Sequence, residues 1–263
     1  MFFLSKLISD NSHEVVMKID RRFLQTEDRF IAEDLLQMKN ATNYNAWQFS
    51  LIQPYLGKRI LEIGSGIGSF TKGFLENSDF VMGVEPNKSC QALLEGTFGN
   101  ESKFKLLKEN IEDCDSHLLS SYSFDTIICM NVLEHIENDT QILEKFFGIL
   151  NLNGNLVLLV PAIPWIYGSI DASVGHFRRY AINEVNLKLG QVGFKVMHLQ
   201  YSNLLGLMGW SFNSKIKKST KQNDSQIRLF DKMVPILRRM EKKHRPPVGL
   251  SIIAVGKKLD DRT

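Results

Sequence analysis

Cysteine is scarce in this chain, and its distribution excludes two kinds of structure. The 263 residues include three cysteines, Cys90, Cys114 and Cys129, and no two of them form a CxxC pair. No cysteine or histidine cluster has the spacing of metal ligands. A disulfide framework and a zinc site are therefore not expected. We predict a protein of the reducing cytoplasm that holds no metal ion.

Long apolar runs and strong charge are also absent. A membrane-spanning helix needs about 18–20 apolar residues, and the most apolar internal run, residues 204–210, is far shorter. The apolar N-terminus is interrupted by Lys6 and has no small-residue cleavage site after it, so no signal peptide is predicted. A net charge of +3 is too small to indicate a nucleic-acid partner. These features indicate an ordinary globular protein.

Short apolar runs alternate with helical patterns from residue 59 onwards. The runs predicted as strands are 59–63, 80–84, 104–107, 124–130, 155–160, 194–199 and 250–255. Between them, the patterns that predict helices are 70–75, 89–94, 136–150 and 183–192. This alternation predicts an α/β fold of the Rossmann-like type, with a mostly parallel seven-stranded sheet flanked by helices.

Two regions exceed what such a sheet requires. Residues 1–40 are predicted to form an N-terminal helical extension, and residues 41–263 a single domain. Within that domain, residues 201–245 are predicted to be a cap or a helical insertion before the last strand, with an amphipathic helix over 227–240. This helix is either a partner surface or a solvated face, and we favour the solvated face.

A glycine turn follows the first predicted strand. Gly64, Ser65, Gly66 and Gly68 lie between this strand and a helix, and glycine allows both positive φ and close approach of a ligand. The helix N-terminus that follows offers free N–H groups to an anion. Glu62 ends the buried strand, where a charge is costly unless it binds something. The alternative interpretation is a tight strand–helix turn without a ligand.

A second acid lies at the end of the next predicted strand. Glu85, followed by Pro86, comes about 20 residues after the glycine turn, which is the position of an acid that binds ribose hydroxyls. Together the turn and Glu85 predict a cofactor that contains a nucleoside. Ser69 stands where the dinucleotide fingerprint has its third glycine, which disfavours NAD.

The glycine turn, Glu85 and the segment Asn131-Val132-Leu133-Glu134-His135 resemble the motifs of class I S-adenosylmethionine (SAM)-dependent methyltransferases, over residues 40–200. The resemblance implies SAM as cofactor and S-adenosylhomocysteine as product. It implies that the glycine turn approaches the methionine part of SAM and that Glu85 binds the ribose.

The same resemblance assigns further cofactor-binding residues. Asn110 and Ile111 stand where the family usually has an acid that contacts adenine. Asn131 and Val132 begin the segment, ending at His135, that lines the methyl-transfer side. Tyr44 and Trp47 belong to the segment that closes over SAM in similar sequences, and ordinary helix packing is the alternative for both.

The loop after the fifth predicted strand is expected to select the acceptor, because ligands bind at the carboxyl ends of strands in such sheets. It contains Tyr167 and ends in Gly175-His176-Phe177-Arg178-Arg179-Tyr180. This GHxRRY-type segment resembles a subgroup of bacterial methyltransferases, some associated with surface glycans, lipids or secondary metabolites. The predicted substrate-binding residues are Tyr167, Arg178, Arg179 and Tyr180.

Histidine is the residue type suited to remove a proton from an acceptor near neutral pH. We predict His176 as catalytic base or substrate anchor, with His135 as the second candidate and a pocket residue. The alternative is that His176 is structural and that both arginines pair with acids.

The predicted acceptor is a small molecule or a glycan- or lipid-linked group, methylated on oxygen or nitrogen. Asn131 is followed by Val132 and not by the Pro-Pro-aromatic motif of adenine and glutamine methyltransferases, and no basic cluster with interleaved aromatics suggests nucleic acid. The run 204–210, beside several lysines, is expected to be buried and not to touch a membrane. The oligomeric state stays open.

Two other functions compete with this one. An NAD- or nucleotide-sugar-dependent oxidoreductase has the same broad architecture, but Ser69, Glu62 and the absence of a Tyr-x-x-x-Lys pair disfavour it. A non-catalytic SAM-binding protein is the other alternative. The intact glycine turn fits a methyltransferase and a non-catalytic SAM-binding protein alike, so an acceptor assay is needed to distinguish these two functions.

Overall fold

The computed structural model describes residues 32, 35–218 and 224–260. Most of the predicted N-terminal extension therefore lies outside the described residues. Within it, residues 35–39 are helical.

One seven-stranded sheet forms the centre of the protein, as predicted. Its strands are β1 (Arg59–Ile63), β2 (Phe80–Val84), β3 (Phe104–Leu107), β4 (Thr126–Met130), β5 (Asn155–Pro161), β6 (Phe194–Ser202) and β7 (Ser251–Lys258). Their order across the sheet is β3-β2-β1-β4-β5-β7-β6. Strand β7 runs antiparallel to both of its neighbours, while the pairings among the first five strands are parallel.

Helices cover the sheet and connect its strands. They are α1 (Thr42–Ile52), α2 (Thr71–Asn77), α3 (Lys88–Phe98), α4 (Ser116–Ser121), α5 (Asp139–Ile149), α6 (Ser169–Ser173), α7 (Ile182–Val192), α8 (Leu204–Ser211) and α9 (Asp224–Lys243). Sequence analysis did not predict α4 or α6. Each has at most six residues, too few for an apolar period to be recognised.

Strands β1, β2, β4, β5 and β7 are largely buried on both faces, which explains their nearly continuous apolar sequences, whereas the edge strands β3 and β6 are partly exposed. In β1, Ile60 packs with one apolar cluster and Leu61 with another. The same alternation holds in β4 for Ile128 and Ile127. The two clusters are the layers between the sheet and the helices on either side of it.

The insertion after β6 is fastened to α1 by acidic side chains. Ala41, which precedes α1, has no side-chain oxygen to cap it. Asp231 of α9 takes that role, accepting hydrogen bonds from the backbone N–H of Tyr44 at 2.9 Å and from the Asn43 amide at 3.0 Å. Glu241 accepts from the N–H groups of the two residues at the start of α8, at 3.0 and 2.9 Å. The insertion therefore holds the helix that precedes the sheet.

Two expectations about the insertion were only partly met. In α8, Leu207 is buried, but Leu204 and Met208 are 38% and 65% exposed. One face of α9 exposes apolar side chains, namely Leu229, Met233, Ile236 and Met240. No helix among the described residues is long and apolar enough to cross a bilayer.

Candidate active site

The carboxyl ends of β1, β2 and β4 meet at one edge of the sheet. Ile63, the last residue of β1, is paired with Val84 of β2 and with Cys129 of β4. The residues that follow these strands therefore lie side by side. They are the glycine turn, Glu85 and the segment that begins at Asn131.

The glycine turn has the left-handed backbone that its sequence predicts. The φ angles of Gly64, Gly66 and Gly68 are 68°, 55° and 79°, a region that side chains disfavour. A Cβ atom on Gly64 would lie 2.4 Å from Cγ2 of Val132. Gly64 is thus required by both backbone conformation and space. The N–H groups of the turn are engaged within the protein: those of Gly64 and Ser65 donate to the carbonyl of Val84, and that of Gly68 donates to the carbonyl of Ser65.

Glu85 is bound to the glycine turn. Its carboxylate accepts hydrogen bonds from the N–H of Gly66 at 2.7 Å and from the N–H of Asn87 at 2.9 Å. The side chain is buried, and Pro86 beside it is exposed. The structure therefore brings together the two features that sequence analysis assigned to one cofactor site.

Glu62 is buried beneath the turn. The hydroxyl of Thr71, the first residue of α2, donates a hydrogen bond to the Glu62 carboxylate at 2.7 Å. Burial raises the pKa of Glu62 to about 8, although the Thr71 hydrogen bond acts in the opposite direction. Sequence analysis missed Thr71, because nothing in the sequence shows that α2 turns back towards the end of β1.

An apolar segment of the N-terminal extension covers the glycine turn. A Cβ atom on Gly66 would lie 3.1 Å from Cδ1 of Leu35. Leu35 packs in a small apolar cluster with Ile67 of the turn and Leu93 of α3. The apolar spacing of this segment indicated a helix but not what the helix covers.

The aromatic pair of α1 packs against the insertion. Trp47 is 2% exposed. The Tyr44 ring lies 5.4 Å from that of Phe230 on α9, and its hydroxyl oxygen accepts a hydrogen bond from Asn203 at 3.3 Å. These contacts are those of helix packing, the alternative that sequence analysis named, and contact with SAM stays a prediction for both residues.

The residues expected near adenine and at the methyl-transfer side are placed as follows. Asn110 is exposed, and its amide donates to Asp113 at 3.1 Å, while Ile111 is buried. Asn131 is exposed and has a positive φ of 52°. Val132 packs against Gly64, where a Cβ atom would lie 2.4 Å from Cγ2 of the valine. The cofactor-binding roles of Asn110 and Ile111 stay predictions.

A second group of polar side chains lies just beyond Val132. His135 and His176 are in edge-to-face contact, with ring centroids 4.7 Å apart. Nε2 of His176 lies 3.8 Å from Oε1 of Glu134, whose side chain is fully buried. Burial raises the pKa of Glu134 to about 8. The structure thus joins the two predicted histidines to an acid that was quoted only as part of a motif.

His135 is held differently from its neighbour. Desolvation of the ring lowers the pKa of His135 to about 4, and electrostatic repulsion from His176 acts in the same direction. A hydrogen bond with the backbone of Gly175 acts against both. Its ring still reaches solvent. The imidazole of His135 is therefore neutral at pH 7.

Asp171 holds the acceptor loop together. It is fully buried and accepts from Nδ1 of His176 at 2.9 Å and from Nε of Arg179 at 2.8 Å. Its other oxygen accepts from the N–H of Gly168 at 3.0 Å and from the Trp210 indole at 3.3 Å. Burial alone would raise the pKa of Asp171, but the hydrogen bonds from His176 and Arg179 outweigh it and lower the pKa.

The ionised Asp171 determines which ring atom of His176 is available. Because a carboxylate only accepts hydrogen bonds, Nδ1 of His176 carries a proton, and Nε2 is the ring nitrogen that has a free lone pair whenever the imidazole is neutral. Sequence analysis missed this role of Asp171. Its position shortly before the histidine, in a loop with two arginines, was the only signal.

The other four residues predicted to bind substrate mostly support this loop. The Tyr167 hydroxyl donates to the carbonyl of His176 at 2.7 Å, and Arg179 is buried on Asp171. Tyr180 is fully buried, and its hydroxyl donates to Asp139 at 2.9 Å. Arg178, 28% exposed, also pairs with Asp139, at 3.2 Å. Of the four, Arg179 and Tyr180 have no free surface that an acceptor can touch.

Known proteins are similar to this chain in sequence or in fold. A sequence profile of the methyltransferase domain family matches residues 25–201. A crystal structure of a SAM-dependent methyltransferase from Archaeoglobus fulgidus is 19% identical, covering 83% of this chain and 94% of its own, with a TM-score of 0.55. The N-methyltransferase NodS from Bradyrhizobium japonicum, solved with S-adenosylhomocysteine, is 12% identical over 85% of this chain and 87% of its own, with a TM-score of 0.53.

Similarity to curated proteins is more limited. A protein named "Probable polyketide synthase 10" from Dictyostelium discoideum is 30% identical over 145 residues, which are 48% of this chain and 6% of that protein. The chain therefore spans only a small part of this relative's length.

The family match covers most of the chain, and the strand order and glycine turn agree with it. The chain belongs to the methyltransferase domain family. Its fold is that of SAM-dependent methyltransferases of known structure.

Proposed function

We propose that this enzyme methylates an oxygen or nitrogen atom of a small molecule or of a glycan- or lipid-linked acceptor. One observation carries the proposal. Glu134 and His135 come shortly after Val132, which lies against the glycine turn, and His176 contacts the His135 ring and lies 3.8 Å from Glu134. The polar group is therefore next to the cofactor site and open to solvent at His135.

The residues proposed to hold SAM are those at the ends of β1 and β2. The methionine part lies along the turn of Gly64, Gly66 and Gly68, where no glycine side chain obstructs it, and Glu85 binds the ribose hydroxyls in place of its present N–H partners. Glu62 is buried without a cationic partner among the contacts described above, so it suits the ammonium group of the methionine part. Bound SAM supplies a methyl group that is already activated by its sulfonium.

The acceptor end then has to orient the acceptor and exclude water. His176 and His135 are the residues that we propose contact the acceptor, directly or through a bound group. Arg178 is the predicted substrate-binding side chain with exposed surface near them. Asp171, Arg179 and Tyr180 act as positioning residues, because they fix the loop that carries His176.

The cofactor half of the proposal is tested by calorimetry with SAM, S-adenosylhomocysteine and NAD. We expect micromolar binding of the first two and none of NAD. Gly66→Arg fills the turn and is expected to abolish binding. Gly148→Arg is the matched control, because a side chain at Gly148 meets nothing within 4 Å. If Gly66→Arg binds SAM as tightly as the unaltered protein does, the turn is not the cofactor site.

The acceptor half is tested by S-adenosylhomocysteine release with pools of hydroxylated and aminated small molecules, glycans and lipid extracts. Mass spectrometry of the pool that supports turnover identifies the methylated molecule. Turnover only on RNA or DNA would overturn the proposed acceptor class. SAM binding without turnover on any pool would favour a non-catalytic role.

We also propose that the protein works in a reducing compartment, the cytoplasm. Cys90, Cys114 and Cys129 are all buried free thiols, which a reducing environment preserves. Labelling of the protein in intact cells, compared with fractionated markers, tests this location.

A further inference from the structure

The group beyond Val132 has the composition of a metal site. Glu134, His135 and His176 each offer one ligand atom, and these atoms all lie within 4.8 Å of one another. Two imidazoles and one carboxylate form a ligand set that zinc enzymes use with a further position open to water or substrate. The sequence did not indicate this set, because His176 is far from the other two residues along the chain.

The distances are close to those of a bound ion. Ligand atoms at about 2.1 Å from a tetrahedral Zn²⁺ lie about 3.4 Å from one another. Nε2 of His176 and Oε1 of Glu134 are 3.8 Å apart. All three ligand atoms lie within 4.8 Å of one another, so ion binding requires the side chains to move closer together.

The Glu134 carboxylate lacks the partners that burial requires. It is fully buried, and neither of its oxygens accepts a hydrogen bond from another residue in the part of the chain that the structure describes. Leaving a buried carboxylate without partners is costly. Nε2 of His176 is too far from the carboxylate for a hydrogen bond, and the buried Arg179 acts on Glu134 through its charge alone. A cation at this point would satisfy the carboxylate.

The second histidine ligand is already oriented for a metal. Nδ1 of His176 is held by the Asp171 carboxylate at 2.9 Å, so Nε2 is the ring nitrogen left to bind an ion, and it lies on the side of Glu134. A metal-bound histidine almost always donates its other N–H to such a carboxylate or carbonyl. Asp171 is in turn held by Arg179 at 2.8 Å, which keeps the carboxylate in place.

We propose that Glu134, His135 and His176 bind a divalent first-row transition metal ion of the Zn²⁺ class. Two imidazoles favour this class over Mg²⁺ and Ca²⁺, which prefer oxygen ligands. The exposed ring of His135 leaves a path from solvent to the ion. The ion's remaining coordination position faces that path and binds an oxygen atom of the acceptor; only this last clause rests on the proposed function.

This proposal departs from the prediction that the protein holds no metal ion. The competing explanation for the same geometry is an ion pair between Glu134 and a protonated His176. An ion pair needs neither His135 nor a bound ion, so metal titration of single variants separates the two.

The experiment uses the full-length protein, free of any histidine tag and treated with a chelator. Zn²⁺ binding is measured by calorimetry, and Co²⁺ binding by the visible absorption that cobalt shows in a low-symmetry site. We expect one ion per chain. Glu134→Gln, His135→Ala and His176→Ala should each weaken Zn²⁺ binding at least tenfold and change the cobalt spectrum.

Two variants serve as matched controls. Glu137→Gln replaces an exposed acid in the same segment, and His117→Ala replaces an exposed histidine on α4. Both should bind Zn²⁺ as the unaltered protein does. Asp171→Asn should weaken binding by about tenfold to a hundredfold, the range for residues that orient a ligand.

Several results would overturn the proposal. One is the absence of stoichiometric Zn²⁺ or Co²⁺ binding to the unaltered protein; another is binding that survives the replacement of Glu134 and both histidines. Thermal melting without metal checks that each variant folds. If Glu134→Gln does not fold, His135→Ala decides, because its ring is exposed.

SAM binding is measured in the same samples, which keeps the two proposals apart. Gly66→Arg should lose SAM and keep Zn²⁺. SAM binding and turnover without Zn²⁺ binding would remove the metal site and leave the proposed function standing.

Discussion

The cofactor end of the site, at the ends of β1 and β2, and the acceptor end, around His135 and His176, differ in the atoms that form them. The cofactor end consists largely of backbone, at the tips of neighbouring strands, with the two acids Glu62 and Glu85 beside it. The acceptor end consists of side chains that converge on Asp171 and Asp139 from several segments. The first depends on strand register, and the second on a network of buried charges.

This difference extends to electrostatics. Glu62 has hydrogen-bond partners but no nearby cation in the contacts described, and burial raises its pKa to about 8. Asp139 accepts from Tyr180 and pairs with Lys188 and Arg178, and its pKa is lowered although burial acts in the other direction. At the cofactor end, Glu62 thus has no cationic partner among the described contacts. At the acceptor end, Asp139 and Asp171 are both paired with cationic side chains. The four predictions that follow test this contrast.

Replacement of Asp171 is expected to have the largest effect. Asp171→Ala leaves the buried Arg179 guanidinium without its carboxylate, and breaking a buried pair in this way costs about 3–5 kcal/mol. Urea unfolding measures the loss. Asp79→Asn, at an exposed position between α2 and β2, is the control. A loss below about 1 kcal/mol would mean that Asp171 does not hold the loop together.

Glu62 is expected to make stability fall as pH rises. The folded protein holds the Glu62 proton up to a pKa of about 8, whereas the ordinary value is 4.5. The folded state therefore binds more protons between these values, and its free energy of unfolding falls by up to about 1.4 kcal/mol per pH unit in that window. Comparison with Glu62→Gln, which lacks this contribution, isolates it. Parallel pH profiles for the two proteins would contradict the prediction.

Gly64→Ala tests the backbone character of the cofactor end. The added Cβ atom would lie 2.4 Å from Val132, and the alanine would have to adopt a φ of 68°. Such a backbone conformation costs about 1–3 kcal/mol. We expect SAM affinity to fall tenfold or more in calorimetry. Gly190→Ala, with open space around its Cβ position, should bind SAM normally. Equal affinity for both variants would show that the turn tolerates side chains.

Asp139 should give a smaller effect, with the opposite dependence on pH. Its pKa in the folded protein lies below the ordinary value of 3.8. The stabilisation is therefore complete well above pH 3.8 and is lost as pH falls through the lowered pKa. Asp139→Asn should cost about 1–2 kcal/mol at pH 7, and the gap to the unaltered protein should close in acid. A gap that stays constant down to pH 3 would exclude this role.

Sequence analysis predicted the cofactor end better than the acceptor end. The strand runs, the glycine turn and Glu85 were confirmed in position, because each is encoded in a short stretch and parallel strands bring their carboxyl ends together. Leu35 and Thr71 were missed, because their contacts with the turn and with Glu62 depend on how helices pack. In the acceptor loop the substrate-binding roles stay predictions, and the burial of Arg179 and Tyr180 was not foreseen.

The sequence by itself determined the order of the strands and longer helices along the chain, the left-handed glycine turn and the resemblance to the methyltransferase family. These properties follow from apolar period, from glycine's missing side chain and from short motifs, all of which are local. Only the tertiary structure decided that Asp171 orients His176. It also decided that Glu134 is buried beside two histidines, with no hydrogen-bond partner for its side chain among the described residues. The physical reason is that burial and pairing of charges depend on segments far apart in the chain, whose meeting no local pattern records.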